Sequence, residues 1–355
     1  MFSILDASVP EQRAKWLAEW QNWPDREVAA HPDYVRLFAR PDDRSLCAVM
    51  RHDGGAVLFP FIQRDLSVEP WAAGYRGMCD LTSPYGYGGA FASGAAHSEA
   101  VASMFWDSFD AWAHSVSAVS SFVRASLFQD QIIATRGETM LEVPNVVRTL
   151  RLEPDAIWAD YAHKVRKNIK AARRAGLQVR VDLTGERLGE FLSIYYATME
   201  RRGASGSYYF PAEFFDRIIS DLRSQFAFFH VSHEGTIVST ELVLVSAQHL
   251  YSFLGGTLPE AFHLRANDLL KHAVIEWGRE LGKKAYVLGG GYAIGDGIFR
   301  YKLSFAPNGQ APMRLVVRVY DEAVYDAFVQ ARQAWETHAG RSWIPRADFF
   351  PAYRA

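Results

Sequence analysis

The chain has 355 residues, which is enough for two domains that each bury a core of their own. Hydrophobic residues make up 49% and charged residues 22%, and the formal net charge of -2 excludes a general attraction to DNA or to an anionic membrane. Cys47 and Cys79 are too few for a disulfide scaffold or a four-cysteine zinc site, and no run of about 18 apolar residues predicts a membrane span. Charged residues near the N-terminus interrupt the apolar segment that a signal peptide needs, so we expect a cytoplasmic protein.

The first half of the chain predicts an α/β unit that begins with a helix over 10–21, where tryptophan and leucine recur at helical spacing. Two apolar runs, 46–50 and 56–62, flank a tight turn and predict a pair of strands. An aromatic and glycine-rich segment, SPYGYGG, then occupies 83–89. The other elements predicted in this half are a helix over 98–114 and strands over 119–125 and 143–152.

The second half begins with a basic helix, predicted over 158–175 and followed by Gly176, the residue type that most often follows a helix C-terminus. Two more helices, a hairpin, a third strand and another helix come next, and a strand then leads into a glycine-rich loop. The predicted helices cover 185–202, 211–224 and 266–281, and the predicted strands cover 227–233, 237–245, 249–254 and 284–288.

The two halves repeat the same order of elements. His52-Asp53-Gly54 and His233-Glu234-Gly235 each lie in a turn between two apolar strands. In both halves a tyrosine precedes a pair of glycines, and a helix with a tryptophan and another strand follow. This order predicts a duplicated α/β unit, with domains at 1–150 and 151–355.

The basic helix carries a cluster of positive charge and no acidic residue from Lys164 to Arg174. At 100° per residue, Arg166, Lys170 and Arg173 form one stripe, and the apolar residues, Trp158 among them, lie on the opposite face. Such a face is either simply solvated or binds a phosphate-bearing partner. If the partner is tRNA or a nucleotide, binding should weaken steeply as salt rises.

Glu241 interrupts the apolar strand IVSTELVLV. A carboxylate in a strand that otherwise reads as buried is costly unless it is paired or faces a binding site. It is therefore a candidate general base for an attacking amine. The alternative, that its side chain faces solvent or pairs with a nearby arginine, stays open.

The loop and basic run from 288 to 305 contain five glycines followed by Arg300, Tyr301 and Lys302. Backbone N–H groups together with two cations can hold an anion or stabilise a developing oxyanion. Asp296 could pair with a cation or with a substrate amine. The alternative is a flexible turn between two strands.

Several common site patterns are absent from the sequence. The residues 295–302 do not predict the start of a helix, so the loop does not fit a dinucleotide-binding fingerprint. Phosphate-binding and hydrolase motifs are missing, and the histidines have no metal-ligand spacing. We therefore predict neither a metal nor a redox cofactor.

Three segments resemble the FemAB-like transferases. KVRKNIKAARRAGLQVRV at 164–181 is similar to their R-x-x-I-x-x-A-x-x-x-G-x-x-V signature. RANDLLKHAVIEWGRELGKKAYVLGGG, followed by DGIFRYKLSF, resembles their helix, glycine strand and F-K-x-x-F ending. SPYGYGG resembles an aromatic-glycine segment of their first domain. The resemblance is strongest from Lys164 to Phe305.

The resemblance implies an α/β (α+β) fold of two tandem N-acetyltransferase-like (GNAT-like) domains, each a mixed, mostly antiparallel sheet flanked by helices. It implies transfer of an amino acid from aminoacyl-tRNA to the amine of a small molecule, peptide or amino sugar. By this resemblance Lys302 would stabilise the transition state. Glu241 and Asp296, which the residues themselves single out, are the candidates to hold the amine proton, and no further cofactor is expected. Candidate substrate-binding residues are Arg166, Lys170, Arg173, Tyr85, Tyr87, Tyr251, Arg265, Arg300 and Tyr301.

The sequence departs from the family pattern in three places. Tyr301 replaces the usual phenylalanine before the lysine, and no heptad run predicts the coiled-coil arm that some members have. The run from Arg265 to Asp268 lacks the two glycines with which an acetyl-CoA pyrophosphate loop would precede its helix. This favours aminoacyl-tRNA over acyl-CoA as the donor. An acyl-CoA-dependent N-acyltransferase and a non-catalytic protein that binds an anion or RNA remain as alternatives.

Overall fold

The computed structural model describes residues 1–291 and 295–355, so residues 292–294 of the glycine loop lie outside the described residues. The chain divides into two compact units. The first contains Met1–Val143 together with Met313–Ala355, and the second contains Pro144–Pro312. This differs from the predicted division at residue 150, because the C-terminal segment packs with the first unit.

The strands and helices are named in chain order. The strands are β1 (Phe2–Asp6), β2 (Arg44–His52), β3 (Gly55–Asp65), β4 (Cys79–Thr82), β5 (Phe91–Ser93), β6 (Ala118–Arg124), β7 (Glu138–Thr149), β8 (Gln178–Asp182), β9 (Phe226–His233), β10 (Thr236–Val245), β11 (His249–Thr257), β12 (Ala285–Gly289) and β13 (Gln310–Val319). The α-helices are α1 (Pro10–Asn22), α2 (Pro32–Leu37), α3 (Glu99–Ser115), α4 (Pro154–Asp160), α5 (His163–Arg174), α6 (Leu188–Arg202), α7 (Ala212–Asp221), α8 (Ala266–Glu280), α9 (Gly297–Leu303) and α10 (Glu322–His338). Among the described residues, no helix is both long and apolar enough to cross a membrane.

The sheet of the first unit runs in the order β1-β2-β3-β4-β6-β13. Neighbouring strands are antiparallel except β4 and β6, which are parallel and are connected through α3. Aromatic side chains of α3 cover one face of this sheet, and the ring of Phe59 lies 5.1 Å from that of Phe109 and 5.3 Å from that of Trp106. Residues 315–319 of β13 pair with β6, which is why the C-terminal segment belongs to this unit.

The second unit repeats this arrangement, with a sheet in the order β8-β9-β10-β11-β12-β7. Here β11 and β12 form the parallel pair, and α8 connects them. The hairpin turns also correspond, because Asp53-Gly54 and Glu234-Gly235 all have positive φ, as two-residue turns of the favoured hairpin type require. The mixed α/β fold with mostly antiparallel sheets and flanking helices is therefore confirmed.

The predicted basic helix is two helices rather than one. The chain leaves the helical conformation at Tyr161 and Ala162, where ψ is 142° and 144°. Trp158 consequently belongs to α4, so its assignment to the apolar stripe of a single helix is wrong. The remainder of that stripe is confirmed, since Val165 and Ile169 of α5 are buried in the core of the second unit.

Helices cover both faces of the second sheet. The helix α8 packs on β9, β10 and β11, and α5 packs on α8. On the opposite face α6 approaches β11 so closely that a Cβ atom at Gly256 would lie 2.1 Å from Oγ1 of Thr198. A side chain at this position would separate the helix from the sheet. The polar residues of the candidate site lie on the α8 side.

Candidate active site

The candidate site lies where β11 and β12 separate. Among the described residues, the parallel pairing joins His249–Tyr251 of β11 to Ala285–Val287 of β12 and ends there. From Ser252, β11 continues beside β10, and β12 ends at Gly289. Close to this point a side chain of α8 contacts residues of β10, β11 and β12, and the groups that meet there are polar and charged.

Glu241 is 3% exposed and forms the centre of a hydrogen-bonded cluster. Its Oε1 accepts hydrogen bonds from Nζ of Lys271 and from the hydroxyl of Tyr286, both at 2.6 Å. Nζ of Lys271 also donates to Oγ of Ser252 at 2.8 Å. Glu241 thus neither faces solvent nor pairs with an arginine, and the buried cation that balances it is a lysine that the sequence analysis did not single out.

Lys302 lies on α9, a short helix that the sequence did not predict. The expectation that 295–302 does not begin a helix is wrong, because Asp296 is the N-cap residue and its Oδ1 accepts a hydrogen bond from the backbone N–H of Phe299 at 2.7 Å. Phe299 is buried in the core of the unit and anchors the helix. The helix presents Nζ of Lys302 to the carbonyl of Gly290, to which it donates at 2.6 Å.

The glycine at position 290 is required by close packing. A Cβ atom there would lie 2.9 Å from the carbonyl oxygen of Pro144, which is closer than carbon and oxygen normally approach. The absence of a side chain lets the loop follow β12 directly, so that its carbonyl reaches Lys302. Close packing therefore requires a glycine at position 290, and the carbonyl of this residue is the one that Lys302 contacts.

The charge of Lys302 is poorly solvated. Its pKa is lowered to about 8, chiefly by burial and to a smaller extent by the positive charge of Lys271, while Glu241 and Asp296 act in the opposite direction. At neutral pH the side chain is still mostly an ammonium group, but one removed from much of its water. Such a cation interacts strongly with negative charge that develops close to it, because the surroundings screen it weakly.

The neighbours of Lys302 on α9 have different environments. Arg300 is exposed and donates to the carbonyl of Gly295 at 2.6 Å. Tyr301 packs against Phe305 with ring centroids 5.4 Å apart, and burial raises the pKa of its hydroxyl well above the usual value. Tyr301 is therefore neutral at physiological pH, and its aromatic ring packs in the core as a phenylalanine would.

The predicted phosphate-binding residues of α5 make contacts within the unit. Nη1 of Arg166 donates to the carbonyls of Ala159, at 2.6 Å, and of Tyr161, at the end of α4. Nη2 of Arg173 donates to Nε2 of His272 at 3.1 Å, and Lys170 lies 5.8 Å from the ring centre of Trp158. The cations of α5 that are exposed at its surface are Lys164, Lys167, Lys170, Arg173 and Arg174.

The remaining candidate residues lie on elements other than α9, the helix that carries Lys302. Tyr85 and Tyr87 belong to the first unit, where the hydroxyl of Tyr34 donates to the carbonyl of Tyr85 at 2.9 Å. Tyr251 is buried in β11 next to Ser252. Arg265, an exposed residue with a φ of 64°, is the N-cap residue of α8 and donates to the carbonyl of Phe262 at 3.2 Å.

The N-cap of α9 gives a first testable prediction. Asp296→Ala removes the hydrogen bond to Phe299, which we expect to lower the free energy of unfolding by about 1 kcal/mol, as measured by urea denaturation. Because α9 carries Lys302, the same change should also lower the rate of the transfer reaction that the sequence resemblance predicts. Asp321→Ala removes the corresponding N-cap of α10 in the first unit and is the matched control. If both variants affect the rate equally, Asp296 has no special connection to the site.

Comparison with known protein families gives a match for the part of the chain that contains the candidate site. Residues 159–303 match the acetyltransferase (GNAT) domain family, and this range contains Glu241, Lys271 and Lys302. Comparison with curated protein sequences gives no match. The match covers less than half of the chain, and the polar cluster of the candidate site lies within the matched residues.

The chain as a whole is similar in structure to FemX, with a TM-score of 0.67 at 12% identity over 89% of this chain and 98% of FemX. It is also similar to the C-terminal domain of a putative lysylphosphatidylglycerol synthetase from Agrobacterium fabrum, with a TM-score of 0.52 at 15% identity over 91% of this chain and 97% of that domain. A conserved protein of unknown function from Bacteroides thetaiotaomicron VPI-5482 gives a TM-score of 0.55 at 11% identity over 89% of this chain and 100% of the other. The resemblance to the FemAB-like proteins is thereby confirmed at the level of the fold.

Proposed function

We propose that this protein is an N-acyltransferase that moves an aminoacyl group from aminoacyl-tRNA to an amine of a small molecule, a peptide or an amino sugar. The observation that carries the proposal is the partly buried ammonium group of Lys302 beside Lys271 and Glu241 in the GNAT domain. The charge of this ammonium group is poorly solvated, which suits a reaction in which a nearby oxygen becomes negative.

In the proposed reaction the nitrogen of the acceptor amine attacks the carbonyl carbon of the aminoacyl ester. A C–N bond forms, the carbonyl oxygen becomes an oxyanion, and Lys302 stabilises that charge. The ester C–O bond then breaks, and the proton that the amine loses is passed on to the ribose oxygen, so that the tRNA leaves with a free ribose hydroxyl. Glu241 and Asp296 are the candidates for holding that proton, each with one carboxylate oxygen already accepting hydrogen bonds. The protein otherwise accelerates the step by orienting the two reactants.

Two observations support tRNA as the donor. The exposed face of α5 carries cations without an acidic residue between them, which suits a polyphosphate backbone better than a single small molecule. At the start of α8, Arg265 and the buried Ala266 carry side chains where a CoA pyrophosphate would need close approach to the backbone.

The second candidate function is acyl transfer from acyl-CoA. It is favoured by the matched family itself, which is described as an acetyltransferase domain. Two assays distinguish the donors, one with charged tRNA and one with acetyl-CoA, and both use the same panel of acceptor amines. The products are identified by mass spectrometry. The proposal expects an amide that carries an amino acid residue, and a product formed only from acetyl-CoA would replace it with the second candidate.

The basic surface of α5 gives a second prediction. Replacing Lys164, Lys167 and Lys170 by alanine should weaken tRNA binding and reduce the slope of log K against log salt by about 2–3, since each phosphate contact contributes roughly 0.7–0.9. Filter binding over a range of salt concentrations measures this slope. A control variant that replaces the exposed Lys15, Arg202 and Arg223 removes as much charge from elsewhere and should leave the slope unchanged. An equal reduction in both variants would count against a specific tRNA surface on α5.

A further inference from the structure

The two oxygen atoms of the Glu241 carboxylate have different environments. Oε1 accepts both hydrogen bonds, from Nζ of Lys271 and from the hydroxyl of Tyr286. Oε2 is buried and has no hydrogen-bond partner among the described residues. A buried oxygen that accepts no hydrogen bond costs free energy, and a carboxylate oxygen can accept but not donate. Oε2 is therefore the atom of this cluster that is left for a ligand, and the ligand must present a donor.

The partners of Oε1 hold the carboxylate from two sides. Lys271 reaches it from α8 and also donates to Oγ of Ser252 on β11 at 2.8 Å, so the ammonium group is itself fixed. Tyr286 of β12 is fully buried, and burial raises the pKa of its hydroxyl well above the usual value, so that it stays protonated and donates. Donors from two elements thus hold one oxygen of Glu241 and leave the other unengaged.

The strand neighbours of Glu241 do not supply the missing hydrogen bond. Phe229 lies opposite it on β9 and has an apolar side chain, and Gly255 lies opposite it on β11 and has none. The titratable side chains that act on Glu241 from other elements are Lys271 of α8, Tyr286 of β12 and, without a hydrogen bond to it, Tyr301 and Lys302 of α9. None of these four brings a negative charge.

The charge of Glu241 is already balanced. Lys271 pairs with it at 2.6 Å, and both side chains are buried. A balanced carboxylate attracts a further cation only weakly, and a buried ammonium group without a counter-ion of its own is costly. Oε2 therefore suits the N–H of an uncharged amine better than an ammonium group. The uncharged form is also the one whose nitrogen lone pair can attack a carbonyl carbon.

We infer that Oε2 of Glu241 accepts an N–H from the uncharged attacking amine, and that Lys271 is the positioning residue that holds Oε1 and balances the charge. The inference rests on the proposed function and selects Glu241 over Asp296 as the group that receives the amine. It also narrows the class of acceptor. At pH 7.5 about a quarter of α-amino groups are uncharged, but only about one lysine side chain in a thousand. The expected acceptor therefore carries an α-amino group or another amine of similarly low pKa, rather than an alkylamine.

Isothermal titration of the free protein tests the inference with two probes, glycylglycine and Nα-acetyl-lysine, which carry an α-amino and an ε-amino group. Titrations near neutral pH in buffers of different ionisation enthalpy give the number of protons released on binding. The wild type should bind glycylglycine more tightly and release close to one proton from its ammonium group. In Lys271→Met the carboxylate is no longer balanced, so the ammonium form should bind, and both the proton release and the preference for glycylglycine should decrease.

Glu241→Gln keeps the shape of the side chain and tests Oε2 itself. Lys271 and Tyr286 then hold the amide oxygen, and an NH₂ group that cannot accept a hydrogen bond replaces Oε2. Binding of glycylglycine should weaken about 10-fold or more. The matched control is Lys283→Met, which removes a lysine that donates to the carbonyl of Ser246 in the turn between β10 and β11. This variant should bind both probes as the wild type does.

Weaker binding in Glu241→Gln together with reduced proton release in Lys271→Met supports the inference. A purely structural role for Lys271 would weaken both probes without changing the proton release, and this result overturns it. It is also overturned if the wild type binds neither probe or binds both equally, or if Glu241→Gln binds glycylglycine as the wild type does. If Lys271→Met does not fold, Glu241→Gln decides alone.

A second arm distinguishes the amine of the acceptor from the α-amino group of the donor. Its probes are tRNAs that carry alanine or propionic acid through a 3′-amide, which differ only in the α-amino group and cannot transfer. If Glu241→Gln removes a preference for the alanyl form and leaves glycylglycine binding unchanged, the donor occupies Oε2 and the inference is overturned. The amine titrations contain no donor, so they still measure the amine site if no charged tRNA supports transfer and the proposed function fails.

Discussion

Replacing Lys302 by alanine should lower the rate of aminoacyl transfer about 10²–10³-fold, the effect typical of losing one group that stabilises an oxyanion. The loss is expected in the chemical step, because the developing negative charge then has no cation beside it. Single-turnover measurements with preformed aminoacyl-tRNA and excess acceptor isolate this step. The reference is the wild-type rate under the same conditions.

The fold should tolerate the substitution Lys302→Ala. The pKa of Lys302 is lowered on folding, which means that its charged form is held at a cost in the native state, and alanine removes that cost together with the hydrogen bond to Gly290. Ile298→Ala, at an exposed position of the same helix, is the matched control and should transfer at close to the wild-type rate. A Lys302→Ala protein that is folded and as active as the control would show that Lys302 is not the catalytic cation.

The largest effect on stability is expected at Lys271. Lys271→Met leaves the carboxylate of Glu241 buried without its cation, which should lower the free energy of unfolding by about 3–5 kcal/mol. Urea denaturation followed by circular dichroism measures the loss. The variant Lys271→Met combined with Glu241→Gln removes both charges and should recover most of the lost stability, because no buried charge remains unpaired.

An exposed ion pair provides the comparison for this result. Arg180 and Glu186 are paired at the surface, with side chains 60% and 48% exposed, and Arg180→Ala should cost less than about 1 kcal/mol. A loss at Lys271 no larger than this would mean that water reaches Glu241 in solution.

The fold could be predicted well from the sequence because the turn residues and the apolar strands indicate the same order of elements in both halves of the chain. The turns at Asp53-Gly54 and Glu234-Gly235 have residues suited to tight hairpins, and the strands around them are strongly apolar. The break between α4 and α5 was missed because neither proline nor glycine occurs from Asp155 to Ala175 to mark it. At this break the chain changes direction, and the side chain of Tyr161 is buried in the core with 1% of its surface exposed. The helical spacing of the apolar residues does not reveal such a change of direction.

The site was predicted only in part. Glu241 stood out as a charge in an apolar strand, but its partner on α8 becomes visible only when the helix is placed on the sheet. A local signal for Lys271 did exist, since it lies three and four residues before Val274 and Ile275 on the apolar face of α8. The helix α9 was missed because glycines weigh against a helix, although Asp296 is a favourable N-cap residue.

The central claim is that an aminoacyl group from tRNA is joined to an amine in the GNAT domain. Its most direct test is a competition in which the purified protein receives charged tRNA, acetyl-CoA and a mixture of candidate amines together. The amide products are then identified by mass spectrometry. The account predicts products that carry an amino acid residue, that are lost on treatment with ribonuclease before the reaction, and that are not formed by Lys302→Ala. Acetylated amines as the sole products, or equal yields from Lys302→Ala, would contradict it.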